Sequence, residues 1–142
     1  MNLWHFEYSF DVDAKNRMLY GKIYGVWKKD TADAYAEEFK EVSQPLLKKP
    51  WSKLIDLSNW KIAHQDAINV IGELNRWCRG NQMVWAVYVI NQTAGYNQLL
   101  KMFEAGEYRD LTKTFRQRSE AEQFFKENGY IIRDPNEEGL FK

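Results

Sequence analysis

A chain of 142 residues is the length of one domain and can bury a core without disulfides or bound metals. Lysine and arginine total 20 and aspartate and glutamate total 20, so the formal net charge is zero. This balance removes the electrostatic attraction on which nonspecific nucleic-acid binding depends, and it makes DNA and RNA poor candidates as partners.

Three further features of the sequence bear on location. The single cysteine, Cys78, excludes an internal disulfide and fits a reducing compartment. No basic and apolar leader is recognisable before Trp4. The longest apolar run, residues 83–90, is much shorter than the roughly 18 residues that a membrane-spanning helix needs. We therefore expect a cytoplasmic protein that does not span a bilayer.

The first 27 residues predict an antiparallel hairpin. Aromatic and polar residues alternate from position 4 to position 10, which is typical of a half-buried strand. Residues 11–16 are rich in turn-forming side chains, and residues 18–27 are again rich in aromatic and β-branched side chains.

A helix and a short strand follow the hairpin. Asp30 or Thr31 can cap the helix, and Pro45 and Pro50 limit its end. Its apolar face consists of Tyr35, Phe39, Val42 and Leu46. Residues 54–57 then predict a short buried strand.

The second helix is predicted from about Gln65, with Gly80 as its C-terminal cap. Its apolar residues form one stripe, which comprises Ala67, Val70, Ile71, Leu74, Trp77 and Cys78. Residues 83–90 have almost no polar interruption, so they predict a strand in the middle of the sheet that is covered on both faces.

The last part of the chain predicts two helices, a strand and a tail. Tyr96, Leu99, Leu100 and Phe103 have the spacing of a short helix, and residues 111–115 predict the last strand. Ser119 and Glu122 form a capping box for a closing helix that ends near Gly129. We assign residues 1–130 to one domain and residues 131–142 to a C-terminal tail.

The predicted element order is ββαβαβαβα. Strands that alternate with helices after an opening hairpin indicate a mixed sheet with right-handed crossovers between its parallel strands. The predicted fold class is therefore α/β.

Two segments carry a resemblance to a known family. Residues 54–58, Leu-Ile-Asp-Leu-Ser, resemble a strand that ends in Asp-Leu-Ser, and residues 115–125 resemble a final strand followed by a capped helix. Together with the element order, they resemble the STAS superfamily, the fold of anti-sigma-factor antagonists, and in particular its SpoIIAA-like bacterial branch.

The resemblance implies a non-enzymatic role. Its typical members carry a phosphorylatable serine at the start of the helix after this strand, where free helix N–H groups support the phosphate. That position falls near Gln65 and Asp66, and neither is a serine. The comparison therefore argues against a phosphorylation switch, although the carboxylate of Asp66 can occupy the same electropositive position. SpoIIAA-like members are also proposed to hold apolar ligands or to associate with membranes.

The predicted site combines a polar loop over residues 58–66 with the helix over residues 96–103. Loops at the carboxyl ends of parallel strands, together with helix N-termini, form the usual binding crevice of α/β sheets. We expect a partner protein or a small apolar, lipid-like ligand to bind there, with no cofactor. The residues assigned to the site are Ser58, Asn59, Trp60, His64, Gln65, Asp66, Tyr96, Leu99, Leu100 and Phe103.

Two alternatives remain open from the sequence. Asp56, His64 and Asp66 can serve a small hydrolase or transferase, although a strand-end aspartate more often binds local backbone N–H groups. The second alternative is peripheral attachment to the inner face of a membrane as a carrier of apolar ligands. It would use the helix over residues 96–103, and it is favoured if basic side chains that otherwise read as solvated loop charges share one face with that helix, namely Lys28, Lys29, Lys48, Lys49, Arg116 and Arg118.

No motif in the sequence indicates a metal-binding or nucleotide-binding site. His5, His64 and Cys78 are far apart in the sequence and show no spacing typical of metal ligands. Gly21 and Gly25 lie in a predicted strand, whereas a phosphate-binding loop lies between a strand and a helix.

Overall fold

The computed structural model describes residues 8–91, 97 and 111–132. In these residues the opening hairpin is followed by helices and further strands, and a short 3-10 helix, Gln44–Leu46, follows the first α-helix. The elements are β1 (Tyr8–Asp13), β2 (Met18–Trp27), α1 (Lys29–Val42), β3 (Trp51–Ala63), α2 (Gln65–Gly80), β4 (Met83–Val89), β5 (Thr112–Phe115) and α3 (Arg118–Glu127).

The strands form one mixed sheet in the order β1-β2-β3-β4-β5. β1 is antiparallel to β2, and every other neighbouring pair is parallel. The opening hairpin and the α/β class are therefore confirmed. The predicted strand over residues 83–90 is an interior strand, but the middle position belongs to β3.

The hairpin turn comes later than predicted. β1 continues to Asp13, because residues 11–13 pair with β2, and the turn occupies residues 14–17. The carboxylate of Asp13 accepts hydrogen bonds from the backbone N–H and the side-chain amide of Asn16, at 3.2 and 2.8 Å. Arg17 closes the turn with a φ of 62°.

α1 and α2 pack together on one face of the sheet. Tyr35 and Phe39 of α1 and Ile71 and Leu74 of α2 are buried there. β2 and β3 contribute the side chains that point to the same face, among them Leu19, Ile23, Trp51 and Ile55. Because alternate residues of a strand point to opposite faces, each of these strands serves two cores.

α3 covers the other face of the sheet. Ala121 and Phe125 are fully buried against Tyr20, Leu54 and Val87, which come from three neighbouring strands. Tyr130 and Ile132 follow α3 and pack against the same cluster. The two cores therefore lie back to back, with the sheet between them.

The helix ends differ from the predicted caps. α1 begins at Lys29, one residue before Asp30. α2 ends at Gly80, and its cap is Asn81, whose side-chain amide donates to the carbonyl of Trp77 at 2.8 Å.

The capping box of α3 lies two residues before the predicted one. Gln117 has the extended backbone of a cap residue, and its backbone N–H donates to the carboxylate of Glu120 at 3.2 Å. Ser119 is therefore already in the first turn of the helix. Gly129 follows the end of the helix and has a φ of 86°. The predicted end near Gly129 agrees with this position.

Several predictions fall outside the described residues. These are the strand residues before Tyr8, the helix over residues 96–103 and the tail beyond residue 132. Among the helices that the structure describes, none has both the length and the apolar character needed to cross a membrane.

Candidate ligand-binding site

β3 is much longer than the predicted strand over residues 54–57. It runs from Trp51 to Ala63, so most of the predicted polar loop is a strand. The reason is β2, which offers backbone partners along its whole length, down to the pairing of Trp27 with Ala63. β4 pairs with β3 only as far as Asp56, so the rest of β2 and β3 extends beyond the other strands as a parallel ribbon.

An irregularity in this ribbon turns Trp60 into the core. Lys22 pairs with Asp56, but Tyr24 pairs with Asn59, so β3 has one extra residue between these pairs. An extra residue of this kind shifts the alternation of side chains by one position. Trp60 is therefore buried in the core that α1 and α2 cover, and its assignment to a polar loop is wrong.

Asp56, His64 and Asp66 do not form the catalytic cluster of the hydrolase alternative. The carboxylate of Asp56 accepts the backbone N–H of Ser58 at 2.9 Å, which is a local structural role. The extended strand between Asp56 and His64 separates them by on the order of 20 Å, at about 3.3 Å per residue and allowing for its irregularities. Chemistry that needs both side chains within hydrogen-bond reach is therefore excluded.

His64, Gln65 and Asp66 lie at the start of α2 and are exposed. The backbone N–H of His64 donates to the carbonyl of Trp27 at 2.9 Å, and its own carbonyl accepts the N–H of Ile68 at 3.1 Å. The helix therefore begins at the end of the ribbon. Asn59 is exposed on the ribbon itself, whereas Tyr96, Leu99, Leu100 and Phe103 lie outside the described residues.

A small enclosed cavity lies between the ribbon and the two helices. Its volume is about 20 Å³, counted as the space in which the centre of a water-sized sphere fits. We call it the Lys53 cavity. Its lining comprises Ile23, Trp27, Tyr35, Lys53, Leu57, Trp60, Ile71, Asn75 and Tyr88. Among the predicted site residues that the structure describes, only Trp60 contributes to it.

Lys53 and Asn75 are the polar exceptions in this lining of aliphatic and aromatic side chains, and Lys53 is its one basic residue among those that the structure describes. Its side chain is only 2% exposed, and its Nζ donates a hydrogen bond to Oδ1 of Asn75 at 2.5 Å. The amine lies 5.2 Å from the ring centroid of Phe39 and 5.6 Å from that of Tyr88. Ring faces attract a cation, but burial removes its hydration. Burial lowers the pKa of Lys53 and outweighs the opposing effect of Cys78.

Burial keeps two neighbouring groups protonated. It raises the pKa of the Tyr35 phenol well above its usual value, and it raises the pKa of the Cys78 thiol to about 11. Cys78 is fully buried and interacts electrostatically with Lys53. At neutral pH this region therefore holds a phenol and a thiol, neither of which supplies a negative charge.

A signal for this cavity is present in the sequence, although the predicted site does not include it. Lys53 lies between Trp51 and Ile55, and all three point to the same face of β3, so a lysine occupies an inward position of a buried strand. Asn75 lies one residue after Leu74 on the apolar stripe of α2 and is fully buried. A lysine and an amide that alternate with core residues are expensive to bury, which makes them candidates for a functional site.

The described part of the chain contains no group of three or more histidine, cysteine or acidic side chains placed to hold a metal ion. The Lys53 cavity offers an amine, an amide and phenols, which suit an uncharged or hydrogen-bonding molecule better than a cation.

Comparison with known proteins identifies the fold. No family model matches the chain, and no curated protein matches it. Among solved structures, it is similar to an uncharacterised protein of the DUF3478 family with a SpoIIAA-like fold from Shewanella loihica PV-4. The TM-score is 0.60 at 12% sequence identity, and the match covers 82% of this chain and 90% of that one. The sheet order, the helices on its two faces and this likeness agree with the predicted resemblance, and the chain has the SpoIIAA-like fold.

Proposed function

We propose that this protein is a non-enzymatic, SpoIIAA-like binding module that holds a small, mainly apolar ligand in the Lys53 cavity. The observation that carries the proposal is the enclosed space itself, lined by aromatic and aliphatic side chains around one amine and one amide. Ligand sites of proteins have this composition, in which apolar walls supply affinity and a few polar groups supply orientation.

The volume of the cavity limits the ligand. About 20 Å³ is enough for the centre of one water molecule, for which roughly 10–15 Å³ is needed. A ligand of a few non-hydrogen atoms is therefore the best match. A lipid-like molecule, the larger of the ligands expected from the sequence, needs Leu57, Ile71 or the indoles to move aside.

The start of α2 supports a role without a phosphorylation switch. Gln65 and Asp66 occupy its first turn, where the resemblance places a phosphorylatable serine. Asp66 already supplies a negative charge near the positive end of the helix dipole. In this proposal, partner proteins recognise the ligand-bound state of the module in place of a phosphorylated state.

Xenon under pressure tests whether the cavity accepts an apolar guest. We expect backbone amide NMR signals of residues around the Lys53 cavity to shift in a saturable way. Ile71→Ala enlarges the cavity and should strengthen xenon binding, whereas Ile71→Phe fills it and should abolish the shifts. Val70→Ala, on the same helix but outside the cavity lining, is the matched control. Shifts that are spread over the surface, or unchanged by Ile71→Phe, would contradict the proposal.

Larger ligands require a separate experiment. Native mass spectrometry of the protein after incubation with a lipid extract would show an added mass if the cavity opens to a lipid-like molecule. An added mass that Ile71→Phe removes supports the larger ligand class, and its persistence in that variant places the ligand elsewhere.

A second candidate function is the binding of a partner protein at the end of the β2–β3 ribbon. Val26 is 50% exposed there, which is unusual for a large hydrophobic side chain, and exposed polar residues lie next to it on β3 and α2. A pulldown with the wild-type protein should then recover a protein that Val26→Asp loses. Ile131→Asp, at another exposed hydrophobic residue, is the matched control. Recovery that is equal with both variants would exclude this surface.

A further inference from the structure

We propose that Lys53 is a covalent capture site for short aliphatic aldehydes, with which its amine forms an imine inside the cavity. Because both use the Lys53 cavity, this inference rests on the proposed function and adds to it the chemical class of the ligand. It assigns a chemical role to the buried amine, whereas the proposed function requires only that the cavity be occupied.

The geometry places the amine in an enclosed, largely apolar space. Lys53 is the third residue of β3, and its amine lies near the rings of both Phe39 and Tyr88. The Nζ atom is also held by Asn75, at 2.5 Å from its Oδ1. An amine whose position is restricted on three sides loses little further freedom when it bonds to a guest, which favours an addition reaction.

The surroundings favour the neutral amine, which is the nucleophile. Desolvation disfavours the ammonium form, so burial lowers the pKa of Lys53. Among the residues that the structure describes, the titratable groups beside it include the Cys78 thiol and the Tyr35 and Tyr88 phenols. Burial raises the pKa of both Cys78 and Tyr35, so neither supplies a charge that would hold the ammonium form at neutral pH.

The reaction balances without an oxidant or a reductant. The lone pair of Nζ attacks the carbonyl carbon, a C–N bond forms, and one proton passes from nitrogen to oxygen to give a carbinolamine. The C–O bond then breaks, and the oxygen leaves as water together with the second proton of the nitrogen. One aldehyde is consumed, one imine forms and one water is released.

The same surroundings suit the product. Uptake of one proton from water turns the neutral imine into a cation with one N–H. Oδ1 of Asn75, which already accepts a hydrogen bond from this nitrogen, can accept that N–H. The rings of Phe39 and Tyr88 can face the delocalised cation, as ring faces do for other cations. The small volume favours aldehydes of one or two carbon atoms, because the alkyl group must share a space of about 20 Å³.

Reductive trapping tests the inference on the wild-type protein. Acetaldehyde with cyanoborohydride converts each imine into a stable ethylamine, and peptide mapping by mass spectrometry locates the ethyl groups. Lys29 is an internal reference, because it is exposed and Asp33 raises its pKa. At neutral pH and a low degree of labelling, we expect Lys53 to carry more label than Lys29.

Two controls separate the cavity from general reactivity. Ile71→Phe keeps Lys53 but fills the space beside it, so it should abolish labelling at Lys53 and leave Lys29 unchanged. Unfolding in urea removes the special surroundings, so Lys53 and Lys29 should then label at similar rates. Circular dichroism of Ile71→Phe shows whether this variant folds, and the wild-type labelling pattern remains decisive if it does not.

The results also distinguish this inference from the proposed function. Labelling of Lys53 that is no faster than that of Lys29 in the folded protein would overturn the covalent site. If xenon still binds in that case, the cavity remains a ligand site and only the aldehyde chemistry is wrong. If xenon does not bind and Lys53 does not label, both proposals fail.

Discussion

At the scale of single residues, Lys53 is costly to bury in the core. Taking an ammonium group out of water costs several kcal/mol even after the surroundings relax. The hydrogen bond to Asn75 and the rings of Phe39 and Tyr88 offset only part of this cost, because burial still lowers the pKa of the amine. Because a lysine at such a position lowers stability, a role in binding is the better explanation for it.

The pKa of Lys53 predicts how stability depends on pH. The unfolded chain binds the proton of Lys53 up to its ordinary pKa of 10.5, whereas the folded chain releases it at lower pH. The free energy of unfolding therefore rises with pH between the lowered pKa and 10.5, by at most about 1.4 kcal/mol per pH unit. Below this window the penalty is constant.

Lys53→Met removes this titration. In urea unfolding followed at neutral pH and again near pH 10.5, wild type should gain stability relative to Lys53→Met as the pH rises. Lys40→Met, which replaces an exposed lysine of α1, should stay parallel to the wild type. A constant difference between wild type and Lys53→Met would mean that the buried amine keeps its ordinary pKa.

Gly21 shows how closely β2 and β3 pack. A Cβ at this position would lie 2.9 Å from Cδ1 of Ile55, its partner on β3. We expect Gly21→Ala to cost about 1–3 kcal/mol, as other cases of overpacking do. Ile55→Val removes the Cδ1 atom, so the double variant should be more stable than the sum of the two changes by at least about 0.5 kcal/mol.

Urea unfolding of the two single variants and the double variant measures this coupling. Gly21→Ala combined with Val87→Ala is the control pair, because Val87 belongs to the core on the other face of the sheet. That pair should be additive. Additivity of Gly21→Ala and Ile55→Val would show that another contact limits the space at Gly21.

At the scale of elements, α2 and α3 each have a glycine at or just after their C-terminal end, but the two glycines differ in backbone conformation. Gly80 ends α2 with ordinary backbone angles, and a Cβ there would contact nothing within 4 Å. Gly129 follows α3 in the left-handed region, with a φ of 86°. Only the second position needs the conformational freedom of glycine.

We therefore expect opposite effects from the same substitution at these two glycines. Gly80→Ala should stabilise the protein by about 0.4–1 kcal/mol, since it reduces the entropy of the unfolded chain without strain in the folded one. Gly129→Ala should destabilise it by about 1–2 kcal/mol, since alanine resists a positive φ. Thermal unfolding of both variants is the test, and a loss of stability in Gly80→Ala would contradict the open surroundings of that site.

At the scale of the whole molecule, the two cores share a single sheet. The indoles of Trp27, Trp51 and Trp60 are buried with α1 and α2, whereas Phe125 of α3 is buried on the opposite face. The hydroxyls of Ser52 on β3 and Tyr130 after α3 lie 2.7 Å apart, which adds a polar link between the sheet and the end of this segment. Loss of either layer exposes strands that the other layer needs.

We expect Phe125→Ala to destabilise both faces together. Its cost should be about 3–5 kcal/mol, as for other buried phenylalanines. The transitions in tryptophan fluorescence and far-UV circular dichroism should shift equally and stay coincident. Gln123→Ala, at an exposed position of the same helix, should change stability by no more than about 0.5 kcal/mol. Trp85 packs in the α3 core beside Phe124, so both proteins should carry Trp85→Phe, which leaves the buried indoles of the other face as the probe. A fluorescence transition that does not move in Phe125→Ala would then mean that the faces unfold independently.

Local patterns in the amino-acid sequence were sufficient to predict the hairpin, the described helices and the fold class. The apolar stripe of α2 and the nearly unbroken apolar run of β4 can be recognised without knowledge of their neighbours. The ends of β1, β3 and α3 are harder to predict from local patterns. Each depends on a backbone partner or a cap outside the pattern, such as the β2 residues that pair with residues 58–63.

The position of the candidate ligand site, in contrast, depends on tertiary contacts. Most of the predicted loop is the end of β3 because β2 extends alongside it, and the extra residue in that strand turns Trp60 inward. The same packing brings Lys53 and Asn75, which are 22 residues apart in the chain, within hydrogen-bond distance beside a cavity. Burial and pairing of this kind arise from contacts between distant segments, whereas the sequence pattern reports only local periodicity.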